Sequence, residues 1–118
     1  MKAYKWEEIP EESPRSGVRR RAIRSRNAIV VRNELDPGMQ TFPHSHDFDQ
    51  LVIIERGKVR FTVGEEIFEL GPGSVCVIPA GVKHFADPIG DETVVNIDVF
   101  SPVRDDYLHL VEYQEEKY

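Results

Sequence analysis

Three of the four histidines fall in two short segments, and imidazole is a side chain well suited to holding a transition metal near neutral pH. His44 and His46 flank Ser45, so in an extended strand both rings leave the same face. Their rings could then converge on one cation. Gln50 shares their parity and can present an amide oxygen, while His84 follows the turn Pro79-Ala80-Gly81 and must reach the same point from another strand. Three imidazoles and one oxygen suit a divalent transition metal with one or two coordination positions left open, as catalysis requires. A bare His-x-His pair also fits a surface or a pocket that binds no metal. The surrounding frame favours ligation. Gly38, five residues, His44-Ser45-His46, three residues, Gln50, six residues and Gly57 form one block. Gly73, five residues, Pro79-Ala80-Gly81, two residues and His84 form a second.

A further set of polar groups lies between Thr93 and Phe100. One parity holds Val95, Ile97 and Val99, and the other holds Val94, Asn96, Asp98 and Phe100. Two readings stand open. Simple alternation sends the valines to the core and leaves Asn96 and Asp98 in water. The other points Asn96, Asp98 and Phe100 into a pocket, with the apolar side against a second sheet or a partner chain.

The elements that must position these groups read as short strands cut by turns. Residues 27–35 and 51–55 carry Ile-Val-Val and Leu-Val-Ile-Ile. In 58–63, Lys58, Arg60 and Thr62 alternate with Val59, Phe61 and Val63, the pattern of a half-buried strand. Gly64-Glu65-Glu66 is a hairpin turn into residues 67–70, and 74–78 and 93–100 complete the set. The helical candidate runs from Arg104 to Val111, with Tyr107, Leu108 and Val111 at helix-like spacing. Regular turn signals with strands between them predict an all-β antiparallel sandwich or small barrel with a short C-terminal helix. We divide the chain into a lead-in at 1–16, a barrel domain at 17–112 and a tail at 113–118 whose end frays. Residues 15–26 hold six arginines and no acid, read as a strand solvated by arginine and paired with the acidic termini.

Composition sets the outer bounds. The 118 residues suit one domain, and 40% hydrophobic against 31% charged residues is globular rather than disordered. No apolar run is long enough to cross a bilayer, and residues 1–8 lack the apolar stretch of a secretory signal. One cysteine precludes an internal disulfide and suits a cytoplasmic location. A net charge of −6 argues against general nucleic-acid binding.

The two histidine blocks resemble the two motifs of the cupin family, and the resemblance spans about Gly17 to Tyr107. It implies a single-domain, jelly-roll β-barrel holding one divalent metal by His44, His46, Gln50 and His84. Nickel, zinc, iron, manganese and cobalt all accept such ligands. Two departures stand out: Gln50 replaces the usual glutamate of the first motif, and Pro88 replaces an asparagine often found at the end of the second. A neutral amide leaves the metal charge uncompensated and breaks the two-histidine, one-carboxylate triad of many iron oxygenases, which tilts the site toward polarising an oxygen.

The run from Asp98 to Leu108, with Gly17-Val18 and its arginines, resembles cupins of the pectin degradation protein KdgF type. That likeness implies ring opening of 4,5-unsaturated uronates. By position, Asp98 would be the acid/base and Arg104 a cation that clamps the substrate carboxylate; Phe100, Asn96 and Phe48 would form the pocket. The implied partners are a small sugar acid and, since small cupins pair through a sheet face, a second copy of the chain. The competing readings are a metal-dependent dioxygenase and a cupin that binds a small molecule without catalysis.

Overall fold

Apolar residues alternating with polar ones, punctuated by glycine, build nine strands in the computed structural model, which describes residues 3–114. They are β1 (Glu12–Arg15), β2 (Val18–Arg24), β3 (Ile29–Leu35), β4 (Gln50–Arg56), β5 (Lys58–Val63), β6 (Glu66–Leu70), β7 (Val75–Ile78), β8 (His84–Ile89) and β9 (Val94–Phe100). A six-stranded sheet runs β1-β2-β3-β9-β4-β7 and faces a three-stranded sheet β6-β5-β8. All the pairings are antiparallel. The fold is the all-β jelly roll expected of a cupin. No helix among the described residues is long and apolar enough to cross a membrane.

Alternation decides which side chains enter the space between the sheets. In β3, Ile29, Val31, Asn33 and Leu35 turn inward; in β4, Gln50, Val52 and Ile54 do. Strand β9 lies at the centre of the larger sheet, between β3 and β4, and Val94 to Ile97 are all buried. Gly57 joins β4 to β5 with φ of 77°, in the left-handed region that a side chain resists. A Cβ there would come within 3.0 Å of the Val94 Cα, so the tight β4–β5 turn depends on glycine.

Two apolar clusters result. One joins Val18, Leu35, Val52, Ile54, Val59, Phe61 and Ile78 between the sheets. The other packs Ala22, Ile29, Val31 and Phe100 against Leu110 and Val111 of a C-terminal 3-10 helix, Asp105–Val111. The helix forms where expected, but with three residues per turn it buries Leu110 instead of Leu108, which is exposed. Spacing by three also sets Tyr107, Leu110 and Tyr113 over the second cluster, and the Tyr113 hydroxyl donates to the Ala22 carbonyl.

The lead-in contains a strand that composition conceals. Strand β1 pairs with β2, and Ile9 ahead of it is buried. The arginine run follows parity. Arg19 and Arg21 turn outward toward Asp36, Glu34 and Glu11, whereas Arg20 shares the inward parity of Val18 and Ala22 and pairs with Glu12. His109 is also held by Glu12, at 2.7 Å. The fraying expected of the last residues falls mainly on 115–118, outside the described residues.

Candidate metal centre and pocket

The two motif segments are stitched together by backbone hydrogen bonds. The His44 amide donates to the His84 carbonyl at 3.1 Å, and the His84 amide returns a bond to the His44 carbonyl at 2.9 Å. Next to this bridge the Gly81 amide donates to the His46 carbonyl, and the Ala80 amide to the Asp49 carboxylate at 2.9 Å. The Pro79-Ala80-Gly81 turn therefore serves as the clasp that brings the second segment against the first. Asp49 is part of the clasp, a role its position in the sequence did not suggest.

The result is convergence. One ring nitrogen of each of His44, His46 and His84 lies within 4.8 Å of the others. Each Nδ1 lies 2.7–2.8 Å from a backbone carbonyl two residues away: Phe42 for His44, Phe48 for His46 and Val82 for His84. A carbonyl only accepts, so each Nδ1 carries the proton and each Nε2 keeps a lone pair for a metal. Burial, followed by mutual repulsion and nearby arginines, lowers the pKa of His44 and His84, which favours the neutral ligand form.

Gln50 completes the set. Its side-chain nitrogen donates to Asp98, which turns its Oε1 toward His46 Nε2 at 3.1 Å. Two acceptor lone pairs then face each other, and the buried Nε2 of His84 has no hydrogen-bond partner. A cation shared among the four satisfies both. The donors present fit a divalent transition metal.

Asp98 stands behind Gln50, on the inward face of β9. Its carboxylate accepts from Asn33 Nδ2 at 2.9 Å, from Asn96 Nδ2 at 2.7 Å and from Gln50. Burial pushes its pKa above the ordinary carboxylate range, against the downward pull of these three amides and of Arg104. Of the two readings of β9, the structure has the pocket-facing one: Asn96, Asp98 and Phe100 line the cavity, while Val95, Ile97 and Val99 lie on the other face of the sheet. Asn33, on the neighbouring strand opposite Asn96, is a site residue that the motifs did not mark.

Arg104 is nearly buried and lies over the Tyr107 ring at 3.7 Å, with Phe100 and Phe48 at 4.7 and 4.8 Å. Its Nε and Nη2 both donate to Asp106, at 2.8 and 2.6 Å. The two-bond clamp expected for a substrate carboxylate is thus already taken by Asp106, and Arg104 remains a fixed cation with Nη1 to offer. Phe100 is buried and lines the cavity, whereas Phe48 stacks on His46 at 4.3 Å and supports the wall from behind.

A cavity of about 90 Å³ is lined by His44, His84, Gln50, Asn96, Asp98 and Phe100. It adjoins an outer space of about 560 Å³ bounded by Pro14, Arg15, Arg20, Phe42, Arg104 and Tyr107. Arg15, Arg20 and Tyr107 went unrecognised as mouth residues, although the parity of Arg20 with Val18 and Ala22 was a usable signal.

Comparison with known proteins agrees with this fold. The family described as AraC-like ligand binding domain matches residues 28–100. An uncharacterised protein of Streptomyces coelicolor is 33% identical over 103 residues, 86% of this chain and 97% of that one. An RmlC-like cupin from Shewanella frigidimarina superposes with a TM-score of 0.79 at 25% identity, covering 88% of this chain and 93% of its own. KdgF from Halomonas sp. superposes with a TM-score of 0.75 at 28% identity, covering 85% and 94%.

Proposed function

We infer function from one premise: this chain belongs to the AraC-like ligand binding domain family, within the cupin superfamily. The reading its site supports best is a metal-dependent enzyme that opens the ring of 4,5-unsaturated uronate monosaccharides without oxidation. The observation that carries it is the coupling of Asp98 to the histidine centre through a single amide. Gln50 presents oxygen to the metal position and nitrogen to Asp98, so an acid/base group and a Lewis acid would address one bound molecule. The likeness to KdgF supports the substrate class.

A cation held by His44, His46, Gln50 and His84 would polarise the ring oxygen of the substrate. The chain supplies the rest. Asp98 takes the proton of the anomeric hydroxyl; the C1–O5 bond breaks as the C1 carbonyl forms, and the electron pair goes to O5 as an enolate. Asp98 then delivers the proton to C4, leaving a ketone at C5, so no atom or electron is gained or lost. A carboxyl with a raised pKa suits both steps. Arg104, held in place by Asp106, lowers the cost of the negative charge that passes between Asp98 and O5. Phe100 and Asn96 close the wall behind the reacting carbons.

The test is direct. Purified protein, loaded with each candidate metal, is mixed with an unsaturated uronate with and without chelator. Chelator-sensitive loss of the conjugated double bond, with no oxygen consumed, is the expected result. Binding without loss of the double bond favours the second reading, a non-catalytic ligand-binding module, which the family description itself supports.

The proposed assembly is a homodimer. Leu51 and Ile53 on β4 stand beside Val77 and Val75 on β7, and these four side chains are 47, 37, 58 and 71% exposed. They form an apolar surface at the open edge of the six-stranded sheet, on the face opposite the cavity. Two-fold pairing of this surface with itself would cover it on both copies.

A further inference from the structure

Three guanidinium groups ring the mouth of the barrel, and they are not equivalent. Arg104 spends two donors on Asp106. Arg20 lies over the Tyr107 ring at 4.7 Å and is paired with Glu12 through Nε and Nη2. Arg15 differs. Its Nε donates to the Gln40 carbonyl at 3.3 Å and its guanidinium lies 5.2 Å from the Phe42 ring centroid, but among the described residues no carboxylate pairs with it. Arg15 borders both the inner cavity and the outer space, as His44 does.

We propose that Arg15 is the carboxylate-binding residue of this pocket, so that a hydroxylated organic acid enters with its anionic end at the mouth and its hydroxyl-bearing carbons toward the histidines. This rests on the uronate reading and adds a residue and an orientation to it. The chemistry follows from what each cation has left to give. A guanidinium recognises a carboxylate through two parallel N–H donors. Arg104 and Arg20 have surrendered such an edge to acids of this chain, while the terminal Nη groups of Arg15 meet no acid among the described residues. Half-burial and the nearby Arg20 pull its pKa below the ordinary value, so its charge is poorly compensated when the pocket holds no anion. A ligand carboxylate supplies that compensation. Phe42, 56% exposed beside Arg15, gives the sugar face an apolar wall at the same point.

The experiment separates this claim from the catalytic one. Metal-loaded wild type, Arg15→Gln and, as an equal change in charge away from the mouth, Arg56→Gln are titrated calorimetrically with D-galacturonate and with its methyl ester. Loss of a charged hydrogen-bonded pair predicts that wild type and Arg56→Gln prefer the acid over the ester by about 10- to 100-fold, and that Arg15→Gln loses this preference at unchanged metal content. With an unsaturated uronate, Arg15→Gln should raise KM by a similar factor and leave kcat nearly unchanged. Retained preference for the acid in Arg15→Gln overturns the assignment even if wild type is an active enzyme. A wild type that prefers the acid through Arg15 yet never consumes the double bond overturns the catalytic reading and leaves the anion site standing.

Discussion

Replacing Asp98 with asparagine changes one atom in a site where the three hydrogen-bond donors to its side chain are all amides. The native carboxylate accepts from Asn33, Asn96 and Gln50. An asparagine keeps one oxygen for these donors and turns its own N–H2 against at least one of them, leaving a buried donor unmatched at about 1–3 kcal/mol. Removing a carboxylate that burial already disfavours offsets part of this cost. The net loss should be about 0–2 kcal/mol, small against the roughly 5–15 kcal/mol that holds a typical domain together. The variant therefore folds, with a urea midpoint near that of wild type. Turnover is another matter. Loss of a positioned acid/base group lowers the rate by about 100- to 10,000-fold, a rise of about 3–5 kcal/mol in the barrier. The assay follows the conjugated double bond of an unsaturated uronate, alongside metal content by mass spectrometry and stability by urea. A metal-replete, folded Asp98→Asn protein that turns over at the wild-type rate would refute the role given to Asp98.

Gln50→Glu places a charge among the ligands, so chelator competition should show metal affinity raised at least tenfold, while turnover falls because Asp98 exchanges a donor for an anion. Unchanged affinity would argue against Gln50 as a ligand. Asp36 is held down to about 2 by its hydrogen bonds from Arg19 and Thr93. A depressed carboxyl stabilises the fold above its ordinary value near 3.8, and that contribution is lost as pH falls toward 2. Because Asp36 is partly exposed, Asp36→Asn should remove only about 1 kcal/mol at pH 6, and the deficit should vanish near pH 2 in urea titrations. Leu51→Glu with Val77→Glu should shift sedimentation from dimer to monomer with the metal site retained; a wild type that sediments as a monomer at micromolar concentration removes the proposed assembly.

The histidines were legible because their geometry is local. His44, Ser45 and His46 occupy one short segment, and the Pro79-Ala80-Gly81 turn marks where the second segment doubles back. The pocket-facing role of Asp98 was legible only as one of two parities, since residues of both parities, Val95 and Ile97 as well as Asn96 and Phe100, are buried in this central strand. Asn33, Arg15, Arg20 and Tyr107 were missed for a different reason. They come from four separate stretches, and their meeting depends on the β2–β3–β9 register and on a 3-10 helix whose pitch differs from the one assumed. Strand β1 was hidden by Pro14 and a run of acids, features that read as a linker until β2 supplies a partner. Tyr107, Leu108 and Val111 were grouped by an α-helical period, but the 3-10 helix buries Leu110 and Val111 and leaves Leu108 exposed.

Strand β9 carries an unusual double duty. Asn96, Asp98 and Phe100 furnish the pocket, while Ile97 and Val99, one step away, belong to the opposite surface. Sliding this strand by a single position would empty the reactive chamber of its polar groups and set them among the apolar side chains of the opposite face. Insertions or deletions within β9 should therefore be the least forgiven lesions in the molecule, because chemistry and foldability are written on the same seven residues.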